Sequence, residues 1–364
     1  MNDRAIARWR MRTMRLSGGT YPSPAAAVEG LLAVQSENHA QASWAVATRT
    51  SGVTQAEFHR LFNDGVILRT HVLRPTWHFV RPEDIRWLVE LTAPRISRLM
   101  VQLQRELELD DSALAASAGA ITEALSEGVH LTREALGARL RDGGLPAEGQ
   151  RLGVMVAHAE MSALICSGAM QGKNHTYALL DERAPEARRL DRDDALAELV
   201  LRYFNGHGPA TERDLAYWAT MTLTDVRTGL AAVADQLDHL RHEGRTFWFK
   251  DPPPDDARLD PRAHLLQVLD EYHHGCQDSR HVLDVDGLVP RGRGASMGMV
   301  LVDGQMVGDM RRRIRGDKAT FEIGLFRDLD DDELGAVRVA AHRYGRFLGL
   351  DPIVVTAPAD AHRV

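Results

Sequence analysis

Apolar positions recur at helical spacing in 24–34, 42–48 and 83–103, so residues 1–108 read as mostly helical. One segment breaks that pattern. "VILRTHVLRPTWHFV", 66–80, is rich in β-branched and aromatic residues and carries a proline near its middle, which predicts two strands joined at "RPT". Helices followed by a hairpin are the outline of a winged helix. The outline recurs. Residues 110–127 are alanine-rich and helical, Thr132 caps "REALGARLRDG" with Glu134 in its first turn and Gly143 at its end, and a helix over 149–163 leads to a hairpin turning at Gly172. A third pass follows. "DALAELVLRYFNGHG" is a helix with a glycine stop, "ATERDLAYWATM" starts at Thr211, and "TLTDVRTGLAAVADQL" starts at Thr222 or Thr224. "LDHLRHEGRTFWF" then turns at Glu243–Gly244 between two strands. Helix, turn, helix, hairpin is helix-turn-helix with a wing.

The expected architecture is therefore α+β and mainly helical, with winged-helix units at 1–108, 109–190 and 191–250. "DPPPDDARLDP", 251–261, reads as a linker from its prolines and charge. Beyond it, "MGMVLVDGQMVGDMRRRIRGDKATFEIGLF" alternates as strands do, with turns at Asp303–Gly304 and Gly316–Asp317. A helix, "DDDELGAVRVAAHRYGRFLG", and a strand, "PIVVTAP", follow. Residues 262–364 are expected to form a small β-rich, barrel-like domain.

Composition adds exclusions. The 364 residues are 44% hydrophobic and 26% charged, without an apolar run long enough to span a membrane. The basic N-terminus lacks the apolar stretch of a secretory signal. Cys166 and Cys276 lie far apart without CxxC spacing, which fits a reducing cytoplasm and argues against a disulfide framework or structural zinc. A net charge of −7 does not suggest a nucleic-acid binder; "DMRRRIRGDK", 309–318, and the arginine-rich first fifteen residues form basic patches compatible with a phosphate-tracking face, and from charge alone solvated surface arginines fit at least as well.

Familiar catalytic motifs are missing. "GRGASMG", 292–298, has the wrong spacing for a dinucleotide loop and precedes a strand. Adjacent histidines in "DEYHHG", 270–275, cannot both face one metal from a regular element, so that stretch is expected to be structural or to contact a neighbouring domain. No HExxH helix and no GxSxG elbow is present.

"VQSENHAQASW", 34–44, is the unusual segment: Gln35, Glu37, Asn38, His39 and Gln41 follow directly on an apolar run. If the helix continues, Gln35, Asn38 and His39 share a face and Glu37 lies about 200° from Gln35. If it ends near Val34, Gln35 and Glu37 lie on one side of an extended turn. Only the second geometry brings amide and carboxylate together, where one would orient a water and the other accept its proton. On residue types alone, a solvated helix end fits better. In "LRPTWHFV", Thr76 and His78 are expected on one face and Trp77 on the other, with Arg74 and His78 near a tip suited to phosphates or a base edge.

Taken together, four segments resemble the winged-helix DNA-binding family that includes the AlkZ and YcaQ DNA glycosylases. They are "GLLAVQSE…WAVATR", "LRPTWHFV", "GHGPATERDLAYWATMT", and the pair "LDEYHHGCQDSR" and "VLVDGQMVG", in that order along most of the chain. The resemblance implies three tandem winged helices, a C-terminal barrel and a DNA-cupping shape. It implies hydrolysis of the N-glycosidic bond of alkylated purines, including bulky adducts and interstrand crosslinks. The family's Gln-aliphatic-Gln or Gln-aliphatic-Asp motif falls on Gln35-Ser36-Glu37. Here the middle residue is polar, which is expected to loosen the packing of the pair, and Glu37 is one methylene longer than aspartate. Gln35 would orient the water and Glu37 act as general base. Arg49, Arg74, Thr76 and His78 would contact DNA. The chemistry needs no metal, other cofactor or lysine nucleophile, so a monofunctional reaction is expected, carried out by a monomer on damaged double-stranded DNA. The competing expectation is a non-catalytic DNA-binding regulator reading bases through 222–237. That stretch carries one arginine, Arg227, and no lysine or asparagine, a poor set for base readout. A relative without DNA affinity is the third option.

Overall fold

Three stretches of the chain repeat one order of elements. In the first, helix Pro24–Leu31 leads to a short strand, Ala33–Gln35, then helices His39–Ala47 and Gln55–Asn63, then strands Leu68–His71 and Trp77–Val80. The return strand Trp77–Val80 lies in the middle and pairs with both others. The second stretch has helix Asp111–Leu125, strand Leu131–Thr132, helices Arg133–Asp142 and Gly149–Met161, and strands Ile165–Ser167 and Thr176–Leu179 in the same arrangement. In the third, helices Arg192–His207, Glu212–Trp218 and Leu223–Val233 precede the hairpin Asp238–His242 and Arg245–Phe249, and a bridge from Ala210 to Trp248 replaces the short strand. This is a computed structural model, and it describes residues 1–253, 259–292 and 296–358. Part of the 251–261 linker and Gly294 of the glycine-rich loop lie outside the described residues.

Local signals explain the element boundaries. Ser23, Thr132, Thr211 and Thr222 all cap helices, each accepting a main-chain N–H through its hydroxyl. Thr211 and Thr222 do so within capping boxes closed by Asp214 and Asp225. Asp303 and Gly304 both have positive φ, 50° and 77°, as a type I′ turn requires. Gly206 is demanded by packing: a Cβ there would lie 2.2 Å from the Gly30 carbonyl oxygen on the helix it crosses.

Among the described residues, the C-terminal segment forms an open sheet and no closed barrel. Its five strands run, in sheet order, Asp351–Pro358, Lys318–Leu325, Gln305–Arg315, Gly298–Val302 and Ala263–Leu266, leaving two open edges. The first pair is parallel and the rest antiparallel. Closure is unnecessary because helix Asp331–Leu348 covers one face, burying Val337, Ala341, Tyr344 and Phe347 against Phe321 and Ile323. Trp44 of the first stretch joins this layer. It stacks on Tyr344 at 4.2 Å and donates its indole N–H to the Leu265 carbonyl at 2.7 Å. The second stretch has an apolar core of its own, whereas the first and third share one with Leu266, Tyr272 and Cys276 of the C-terminal segment.

Candidate active site

Helix Pro24–Leu31 stops abruptly. Leu32 has φ 63° and ψ −45°, a conformation costly for a leucine, and the chain leaves it as an extended strand. Of the two geometries open to Gln35 and Glu37, the extended one is therefore found. The strand is fully buried and registers against the first hairpin, Gln35 opposite His78.

The motif is pinned through its main chain. The Gln35 N–H donates to Glu271 Oε1 at 2.7 Å, and the Ser36 N–H donates to the Trp77 carbonyl at 2.7 Å. Arg69 Nε donates to the Ser36 carbonyl at 3.1 Å while its guanidinium lies 4.4 Å over the Trp77 ring. Ser36 is wholly buried and its hydroxyl has no partner. Main-chain bonds thus replace the packing that an aliphatic residue would supply. Ser36→Ala should raise stability by about 1 kcal/mol, because an unsatisfied buried hydroxyl is removed without creating a large void. An unchanged or lower urea midpoint would contradict this.

The Gln35 carboxamide is oriented as well. Arg74 Nη2 donates to its Oε1 at 2.7 Å and stands 3.4 Å from His78 Nε2. Arginine has only donors, so the Gln35 oxygen must face it, and the amide N–H groups are what Gln35 has left to offer. His78 donates from Nδ1 to the Thr76 carbonyl at 3.1 Å, which leaves Nε2 as an acceptor. Burial, then the Arg74 charge, push the His78 imidazole down to about 3, so it is neutral in this role. Gln35 lines a cleft of about 500 Å³ between the hairpin tip and helix Glu212–Trp218, with Arg74, Thr76, Arg95, Tyr217 and Met221 among its other walls. Glu37 is exposed, and its Oε2 accepts the Trp77 N–H at 3.2 Å. It does not line that cleft.

Two of the four expected DNA contacts, Arg49 and His78, lie in the interior. Arg49 is 0% exposed and forms a two-pronged pair with Asp270 at 2.7 and 2.9 Å, so it is a core cation with no surface to offer a phosphate. His78 is 0% exposed. Arg74 lines the cleft but spends Nη2 on Gln35 and His78. Thr76 alone of the four borders the cleft without a side-chain partner. In the opening motif, Asn38 is a helix cap accepting the Gln41 N–H, and His39 is buried edge-on against Phe62 and Phe79.

Arg95, Tyr217, Arg69 and Glu271 were not singled out from sequence as site residues. Only Glu271 had a signal, the "DEYHHG" stretch. Glu271 is 0% exposed, with Oε1 on Gln35, Oε2 accepting the Trp218 indole N–H at 2.8 Å, and His207 Nε2 at 3.6 Å. Burial alone would push its carboxyl up; His207 and the Arg74 charge outweigh that and hold it at about 2. The stretch thus has a structural role, tying the C-terminal segment to the first and third stretches, and Tyr272 also donates its hydroxyl to the Ala7 and Gly304 carbonyls. Among the described residues, one trio of metal-capable side chains converges, Asp3, His242 and Glu243, and none belongs to the Gln35 segment.

Residues 28–347 match the family model described as DNA glycosylase AlkZ-like. An interstrand DNA cross-link repair glycosylase of Streptomyces sahachiroi is 25% identical over 324 residues, covering 84% of this chain and 86% of its own. The solved structure of Streptomyces sahachiroi DNA glycosylase AlkZ superposes with a TM-score of 0.76 at 22% identity, over 97% of this chain and 99% of that one. With the family model spanning most of the sequence, the chain belongs to the AlkZ-like DNA glycosylase family.

Proposed function

We propose that the protein is a monofunctional DNA glycosylase that hydrolyses the N-glycosidic bond of alkylated purines, bulky adducts or crosslinks included. The observation that carries this is the Gln35 carboxamide, oriented by Arg74 at the wall of an open cleft. Alkylation at purine N3 or N7 puts positive charge on the base and makes it a good leaving group. Water held by the Gln35 N–H groups attacks the sugar carbon and the glycosidic electron pair departs with the base; Glu37, outside the cleft in this structure, must swing from the Trp77 N–H to take the water proton and offset the sugar's positive charge. We read the three helix–hairpin repeats as winged helices that cup double-stranded DNA. Arg311, Arg313, Arg315 and Lys318, all exposed on the C-terminal hairpin, are suited to its phosphates.

The test is release of free base from DNA carrying N3- or N7-methylpurines. Gln35→Ala and Glu37→Ala should each slow release about a hundredfold, the lower range for a lost acid–base or orienting group, with melting temperature preserved. Salt-sensitive DNA binding without release would instead make it a non-catalytic binding protein. A base-reading regulator is disfavoured by helix Leu223–Val233, whose arginine, Arg227, is paired with Glu212 at 2.8 Å.

A further inference from the structure

We propose that Glu271, contributed by the C-terminal segment, is a positioning residue of the Gln35 site that sets both the orientation of Gln35 and the width of the cleft. The inference rests on the glycosylase reading for its kinetic consequence, but its structural basis is independent of it. A single carboxylate holds the two walls. Oε1 takes the main-chain N–H of Gln35 on the first stretch, and Oε2 takes the indole N–H of Trp218. Trp218 ends the helix whose Ala216 and Tyr217 form the facing wall. Because the two oxygens are fixed within one planar group, the separation of Gln35 from that helix is set by one side chain.

The same carboxylate governs Arg74. Its Nη1 is buried and has no hydrogen-bond partner, and Glu271 is the foremost negative charge acting on it. A guanidinium in such surroundings stays inside only while an opposite charge compensates it. Remove the charge of Glu271 and Arg74 gains by swinging to solvent, which frees the Gln35 carboxamide to rotate. Catalytic groups tolerate little misplacement, so a loosened Gln35 should lower the rate without weakening DNA binding. A residue that merely stabilises the fold would not separate the two.

The experiment uses Glu271→Gln, which keeps size and loses charge, and Glu271→Asp, which keeps charge but is one methylene too short to span both walls. Single-turnover base release, DNA affinity and main-chain hydrogen exchange are measured on the full-length protein. Both variants should slow release about tenfold or more with affinity unchanged. In both, the Gln35 amide should exchange about tenfold faster while Leu152, in the separate core of the second stretch, does not change. If Glu271→Gln does not fold, Glu271→Asp alone decides by the same measures. Rates that fall only in step with affinity, or Gln35 exchange equal to wild type, overturn the proposal. If wild-type protein releases no base, the glycosylase reading fails, and Gln35 exchange still decides whether Glu271 positions the segment.

Discussion

Arg49→Ala should cost about 3–5 kcal/mol of folding free energy, the penalty of leaving one member of a buried ion pair alone. Both partners are completely buried, and the guanidinium also donates to the carbonyls of Met14 and Ala45 at 3.0 and 2.7 Å. Truncation would deprive the Asp270 carboxylate of its cation, leaving it the Tyr272 N–H, and open a void where three stretches of chain meet. Urea unfolding at neutral pH measures the loss. The double variant Arg49→Met with Asp270→Asn should recover much of it, since no buried charge is then unpaired. Had Arg49 been a phosphate contact, Arg49→Ala would weaken DNA binding and leave the urea midpoint where it was, an outcome that would refute the core assignment.

Acid should be the second large effect. His39 is held down at about 2 by burial and then by His175, His78 at about 3 by burial and then by Arg74, and His264 at about 3 by burial and then by Arg343. All three are nearly or wholly buried. In the unfolded chain a histidine titrates near 6.5. Between those values the unfolded state binds more protons than the folded one, so stability is fully present above pH ~6.5 and falls as pH falls. The slope is roughly 1.4 kcal/mol per pH unit for each histidine, so three together should remove several kcal/mol by pH ~5. That is comparable to the whole stability of an ordinary domain. Glu271 acts in a lower window: its contribution is complete above the ordinary carboxylate range and is lost only as pH falls toward about 2. Urea midpoints measured from pH 7 to pH 5 should drop steeply; a flat profile would show that the three imidazoles are not kept neutral by folding.

The amino-acid sequence by itself determined what is local. Caps at Thr132, Thr211 and Thr222 and turns at Gly172, Glu243–Gly244 and Asp303–Gly304 are made by side chains and φ angles within a few residues, so each was legible and each is found. The strands either side of "RPT" were legible for the same reason, since β-branched and aromatic residues mark them. Tertiary structure decided the rest. Whether the C-terminal strands close depends on what covers their apolar face, and that cover is a helix together with Trp44, more than 200 residues away from it in sequence. Whether Gln35 and Glu37 share a helix or an extended segment depends on strand pairing with His78, which no periodicity within the segment can express. The interior places of Arg49 and His78 were not legible because charge and residue type describe what a side chain can do in water. Burial beside Asp270 and opposite Gln35 turned these two from groups that could meet a phosphate into groups that hold the interior together.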